Sequence, residues 1–188
     1  GTPDHPMRVA TRRAAGLDPS GWTSALRDDV ERYFDELAPE WHTRSSPERV
    51  AVTEDALGRG LPEVGYRRGL AIEVGSGVGT YSRLVAQRWS PVLCVDLSHE
   101  MLRRAPAAPG VRVQADGAAL PVRSGAAAAV ILVNAFLFPA EVDRVLAPDG
   151  VVVWVNSSGP QTPIYLSVDD VVSRLPGTWD GVASQAGE

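Results

Sequence analysis

Residues 70–84 read LAIEVGSGVGTYSRL, an apolar run holding the acid Glu73 and then three glycines at every second position, Gly75, Gly77 and Gly79. Glycine accepts positive φ and carries no Cβ, so a loop of this composition lets backbone amides come close to a ligand. Polar residues also close the apolar runs farther along the chain: Asp96 after VLCV, Asp116 after VQA, Asn134 after VILV and Asn156 after VWV. A solvated strand end or a turn former explains any one of them. Taken in series beside a glycine loop, they point to one crevice, because open parallel sheets bind ligands outside the carboxyl ends of their strands.

The spacing narrows the ligand. A dinucleotide pyrophosphate is cradled by Gly-x-Gly-x-x-Gly, whereas here the third glycine's place is taken by Thr80 and the pattern is Gly-x-Gly-x-Gly. All eighteen cationic side chains are arginine. Chemistries that need a lysine amine are therefore excluded: a P-loop, a pyridoxal Schiff base and the Tyr/Lys pair of short-chain dehydrogenases. The single cysteine, Cys94, sits in the apolar run VLCVD without a partner, which leaves no disulfide or thiolate pair. His5, His42 and His99 lack the spacing of a helical metal site, and no metal is expected. His42 is the candidate general base, since imidazole titrates near ~6.5; a surface or packing histidine is the competing explanation.

The elements that must hold these residues can be read from periodicity. A chain of 188 residues, 44% hydrophobic, can bury a core as one domain. It has no apolar run of 18 residues, and its start, GTPDHPMRVATRR, lacks a signal-peptide core; a cytoplasmic protein is expected. The net charge of -5 provides no global attraction to phosphate backbones, so no nucleic-acid partner is expected. In SALRDDVERYFDELAPEW the residues Leu26, Val30, Phe34 and Leu37 fall at helical spacing, and that helix should end near Pro39. A second helix starts at SSPERV, with Pro47 and Glu48 in its first turn, and should stop at Gly58. Residues 1–65 thus read as a helical segment. From residue 66 to 188 short Val- and Ile-rich runs alternate with helices, which indicates βαβ units: a doubly wound α/β fold with a mainly parallel sheet covered on both faces. Alanine favours helix, so the strand in GAAAAVILVN is expected to begin at Val130.

Four stretches in order and spacing resemble class I S-adenosylmethionine-dependent methyltransferases, in particular the small-molecule group similar to ubiquinone and menaquinone biosynthesis enzymes. IEVGSGVGTYS resembles the glycine motif, VLCVDLSHEML the second-strand acid with its following helix, VQADGAALPV the adenine loop, and EVDRVLAPDG the helix and turn before the fifth strand. The resemblance covers about residues 65–157 and implies a Rossmann-like core, S-adenosylmethionine as cofactor and a small-molecule methyl acceptor. It implies that backbone around Gly75, Ser76, Gly77 and Gly79 lies against the methionine part of the cofactor. Asp96 would accept both ribose hydroxyls, and Leu97 would cover one adenine face. Asp116 would accept from the adenine amino group, with backbone contacts from Gly117 and Ala118. Asn134 and Ala135 would lie beside the methionine moiety, and Glu73 would orient the site electrostatically. YFDELAPEWHTR is similar to the family's lid, with Tyr33, Trp41, His42 and Arg44 as its site candidates.

The chain departs from the family in a short segment between NAFLF and PAEVDRVL, and in GTWDGVASQAGE, which reads as half of a terminal hairpin. The fold has no fixed catalytic residue to carry over. Three functions stay open on sequence: a small-molecule methyltransferase, a non-catalytic S-adenosylmethionine-binding or interaction module, and a nicotinamide-dependent oxidoreductase. The oligomeric state is left unassigned.

Overall fold

The computed structural model describes residues 2–107 and 109–185. Three helices come first: α1 (Pro6–Ala14), α2 (Ser24–Leu37) and α3 (Pro47–Val64), with a 3-10 turn over Ala38–Arg44 between the last two. The alternating part follows as β1 (Ala71–Val74), α4 (Ser82–Ala86), β2 (Val92–Asp96), α5 (His99–Arg103), β3 (Val111–Gln114), β4 (Ala127–Val133), α6 (Pro139–Val145), β5 (Leu146–Val155) and α7 (Val168–Arg174). The strands lie in the order β3-β2-β1-β4-β5, and every pairing is parallel. This is the doubly wound α/β arrangement expected from the sequence, and the order reverses between β1 and β4.

Alternation along the strands sends side chains to two separate cores. Ile72, Val74, Val130 and Leu132 pack on one face against Val142 and Val145 of α6 and Val171 of α7. Ala71, Ala129 and Ile131 pack on the other against Leu57 and Leu61 of α3 and against Val85 and Trp89. Every residue of β4 is buried, as befits a strand covered on both faces. The early helices form a third cluster, with Met7, Ala10, Val30 and Ile164 at its centre.

Several element boundaries differ from the sequence reading, each for a packing reason. Helix α3 passes through Gly58 and Gly60 to end at Gly65, because Leu57 and Leu61, four residues apart, share the face that seats on the sheet. Strand β4 begins at Ala127 instead of Val130. Its first residues pair with β5 and β1, and the alanines are 0–1% exposed; tertiary pairing overrides alanine's helical preference. Strand β5 begins at Leu146, ahead of the expected turn, and a register irregularity between Ala127 and Ala129 absorbs the extra residues. Helix α1, which periodicity did not reveal, starts on His5, whose Nδ1 accepts from the Met7 amide. Residues 176–185 contain no strand, and the rest of the expected hairpin half lies outside the described residues.

One acid is enclosed in this frame. Glu73 on β1 is 2% exposed, and its Oε2 accepts from Ser82 Oγ at 2.6 Å and from Cys94 Sγ at 3.6 Å. Burial pushes its carboxyl from 4.5 up to about 7, and pushes the Cys94 thiol up to about 11.

Two stability predictions follow from this packing. Ile131 is fully buried at the centre of the sheet, so Ile131→Ala should cost about 2–5 kcal/mol in urea unfolding; a loss under about 1 kcal/mol would contradict the core assignment. For Glu73 the folded-state value lies above the ordinary one, so its contribution to stability is complete below pH 4.5 and is lost as pH rises through 7. The wild-type minus Glu73→Gln difference in unfolding free energy should therefore fall across that window, by a few kcal/mol at about 1.4 kcal/mol per unit of displacement. A flat difference would show that Glu73 ionises as freely in the fold as in the unfolded chain.

Candidate active site

Where the strand order reverses, the chains leaving β1 and β4 turn in opposite directions and open a crevice at their carboxyl ends. A pocket fills it, with about 920 Å³ of empty space counted out to the mouth. The glycine loop forms its floor. Gly75, at φ 69°, allows close approach of the β4 exit: a Cβ there would lie 2.8 Å from Ala135 Cβ. Gly77, at φ 54°, has nothing within 4 Å of the place a Cβ would take, and it lines the pocket. Ser76 also lines the pocket, and its Oγ is buried with no hydrogen-bond partner. A ligand supplying that partner removes the cost of an unsatisfied buried hydroxyl.

Asp96 closes β2 and faces the loop. Its Oδ2 accepts from the Gly77 amide at 2.7 Å, and its Oδ1 accepts from the Ser98 amide at 2.8 Å. Burial pushes this carboxyl from 3.8 up to about 6, opposed by those two amides and assisted by the charge of Asp35. Asp35, on α2, accepts from Ser98 Oγ at 2.5 Å and from the Glu100 amide at 3.2 Å, which ties the early helices to the start of α5. On the β4 side Asn134 takes φ 51°, the sole positive φ of a non-glycine among the described residues. Its side chain donates from Nδ2 to Ser157 Oγ at 2.8 Å and accepts the Ser157 amide at 2.9 Å, which fixes the strand exit.

The remaining wall is mostly apolar. Leu97 and Met101 stand beside Gly117 and Phe138 near Asp96, while Val30, Phe34 and Trp41 cover the pocket from the N-terminal third. Part of the pocket wall is polar and basic. Arg44, Arg49 and Tyr81 line it, Arg49 donates to the Arg44 carbonyl at 2.7 Å, and Ser45 Oγ lies 3.4 Å from Thr80 Oγ1. The Tyr81 phenol is raised by burial, with Ser157 and Arg49 acting in the opposite direction.

Of the residues singled out in the sequence, Trp41, Arg44, Gly75, Ser76, Gly77, Asp96, Leu97, Gly117, Asn134 and Ala135 meet in this pocket. The others are placed elsewhere. His42 is exposed and outside the lining, since the 3-10 turn directs its neighbour Trp41 inward, 6.1 Å from Phe34. Tyr33 packs edge-on against Phe34 at 5.4 Å within the N-terminal cluster. Glu73 is enclosed beneath the loop, and Gly79 turns it by donating to the Ser76 carbonyl. Asp116 lies outside the lining: Oδ1 accepts from the Ala118 amide at 2.8 Å and Oδ2 from Trp22 Nε1 at 3.1 Å. Trp22 is held there by Phe136 and Phe138, with centroids at 5.6 and 5.0 Å. Asn156 bonds Trp154 and the Ile164 carbonyl and serves the fold. The sequence reading missed Phe34, Arg49, Tyr81 and Met101 as lining residues. Tyr81 and Met101 lie inside motifs it quoted, whereas Arg49 enters only through the packing of α3.

The pocket thus combines a buried carboxylate, apolar walls and an open glycine wall with an unpartnered hydroxyl. Residues 72–154 match a family model described as a methyltransferase domain. No curated protein matches the sequence. Among solved structures, a Methanococcus maripaludis protein assigned as an S-adenosyl-L-methionine-dependent methyltransferase shares 21% identity at a TM-score of 0.51, over 66% of this chain and 61% of that one. DhpI in complex with SAM and HEP shares 25% identity at a TM-score of 0.55, over 71% and 66%. DhpI in complex with SAH gives 22% and 0.56, over 71% and 70%. The chain thus spans under two thirds of the first two. Residues 72–154 of this chain thus carry a methyltransferase domain, on a reversed parallel sheet of Rossmann-like fold with the glycine loop and the second-strand acid at its crevice.

Proposed function

We propose that the protein binds S-adenosylmethionine at the β1/β4 crevice and transfers its methyl group to a small-molecule acceptor. The observation that carries this is the pairing of Gly77 with Asp96: the loop amide is bonded to the carboxylate, and the Cβ side of the glycine faces free space. Bound there, the sulfonium cofactor supplies an electrophilic methyl: the acceptor's lone pair forms the new bond as the methyl–sulfur bond breaks, and that bond's electrons pass to sulfur, leaving a neutral thioether.

The residues have separable tasks. Asp96 retains lone pairs on both oxygens after accepting the two backbone amides, enough to receive a ribose diol. Leu97 and Met101 supply apolar contact for the base, and Gly117 leaves room beside Phe138. Asp116, outside the lining, holds the Ala118 amide and Trp22 and so shapes the loop that carries Gly117. Ser76 Oγ and the loop backbone take the amino-acid tail. Val30, Phe34 and Trp41 exclude water over the site, the part a lid plays in aligning nucleophile and methyl carbon. The reading needs no base at His42, which stands outside the lining. The acceptor as a small molecule is supported by the confined, apolar-walled pocket.

Two substitutions test the reading by calorimetry with S-adenosylhomocysteine. Asp96→Ala removes charge-assisted hydrogen bonds of about 1.5–3 kcal/mol each, so the dissociation constant should rise at least about tenfold. Gly77→Val should abolish binding, since it fills the open wall and strains a left-handed position. Unchanged affinity in folded Asp96→Ala would contradict the ribose assignment.

A further inference from the structure

The basic part of the pocket wall has a charge balance that the cofactor does not complete. Arg44 and Arg49 both line the pocket, and no ion pair joins either to a carboxylate among the described residues. Elsewhere Arg88 pairs with Glu54 at 2.7 Å, Arg144 with Glu141 at 2.6 Å and Arg59 with Asp55 at 2.5 Å. Arg49 also stands in the first turn of the 18-residue helix α3, three positions after its cap Ser46, where the helix dipole disfavours a cation. Two unpaired arginines and the first turn of a long helix therefore contribute to one cavity wall.

Neither charge is met by a carboxylate of the described residues, so both remain available to an anionic ligand. S-adenosylmethionine carries one carboxylate against an ammonium and a sulfonium, so it brings more positive than negative charge, and an anionic acceptor would complement the two arginines. We propose that Arg44 and Arg49 are an anion-recognition site for the methyl acceptor, and that the acceptor is a small organic anion, a carboxylate or phosphonate on an apolar body. Guanidinium groups match the two oxygens of such a group in a planar, bidentate manner. The apolar body fits the adjoining Phe34 and Trp41. Ser45 and Thr80, 3.4 Å apart at their hydroxyls, add donors beside the arginines. Lining groups that could take a proton are few: Asp96 is committed to the loop, and burial keeps the Tyr81 phenol neutral. An acceptor already ionised has no proton to lose.

This inference rests on the methyltransferase reading, and the test separates the two. The protein is saturated with S-adenosylhomocysteine and titrated calorimetrically with phenylphosphonate, benzoate and, as the neutral control, benzyl alcohol. Both anions should bind and the alcohol should not. Arg44→Gln and Arg49→Gln should each weaken the anions at least about tenfold, the loss of one charge-assisted bond, while S-adenosylhomocysteine affinity stays within about twofold. Among the described residues the Arg44 side chain makes no hydrogen bond or ion pair, so its variant tests the site even if Arg49→Gln loosens the turn it braces. Equal binding of the alcohol, or no binding of either anion to the saturated wild type, overturns the acceptor class and leaves the methyltransferase reading standing. Loss of S-adenosylhomocysteine affinity in the variants, with 5′-methylthioadenosine affinity kept, assigns the arginines to the cofactor's carboxylate and also overturns it. Failure of the wild type to bind S-adenosylhomocysteine removes both.

Discussion

The carboxylate of Asp96 joins the parts of the molecule that make the pocket. One oxygen holds the Gly77 amide and so sets the glycine loop; the other holds the Ser98 amide at the start of α5. Ser98 in turn donates from its hydroxyl to Asp35 of α2, which brings the N-terminal third over the sheet. A buried acid surrounded by backbone donors is oriented by them, and burial still pushes its carboxyl up to about 6 because desolvation exceeds what the amides return. The consequence is a group fixed in position and short of solvent, a state that favours polar hydrogens of a ligand over none at all.

The N-terminal helices belong to the site in a way that sheet topology alone does not convey. Helix α2 gives Val30 and Phe34 to the pocket wall, and the turn after it gives Trp41 and Arg44; the first turn of α3 gives Arg49. Helix α3 also packs on the sheet through Leu57 and Leu61, so its start is anchored by the core while its first turn faces the cavity. Farther forward, Trp22 reaches the loop after β3 and occupies one oxygen of Asp116, between Phe136 and Phe138. The first third of the chain thus covers a crevice whose floor comes from the strands.

What the sequence made legible was local and repetitive. Gly75 and Gly77 could be read because glycine takes φ 69° and 54° without the steric cost of a Cβ, and Asp96 because an acid closing a parallel strand has a defined direction. Short Val- and Ile-rich runs between helices foretold the doubly wound sheet, and the quoted motifs fall largely within the matched methyltransferase domain. The rest depends on contacts between distant segments. Alanines 127–129 read as helix in isolation and became strand because β1 and β5 pair on either side of them. Helix α3 ran past two glycines because Leu61 had a core to enter. His42 and Tyr33 lie in the expected lid, but which of its side chains turn inward is decided by Trp41 and Phe34 packing together. Arg49 gave no local signal, since an arginine in a helix's first turn is visible as an anomaly only once the cavity beside it is known.

The central claim is that the crevice between β1 and β4 is built for an adenosyl amino acid and not for a dinucleotide. Parallel calorimetric titrations of the same protein with S-adenosylhomocysteine and with NAD test it most directly. Stoichiometric binding of S-adenosylhomocysteine with no detectable binding of NAD is the expected result; tight binding of NAD with no response to S-adenosylhomocysteine would contradict it.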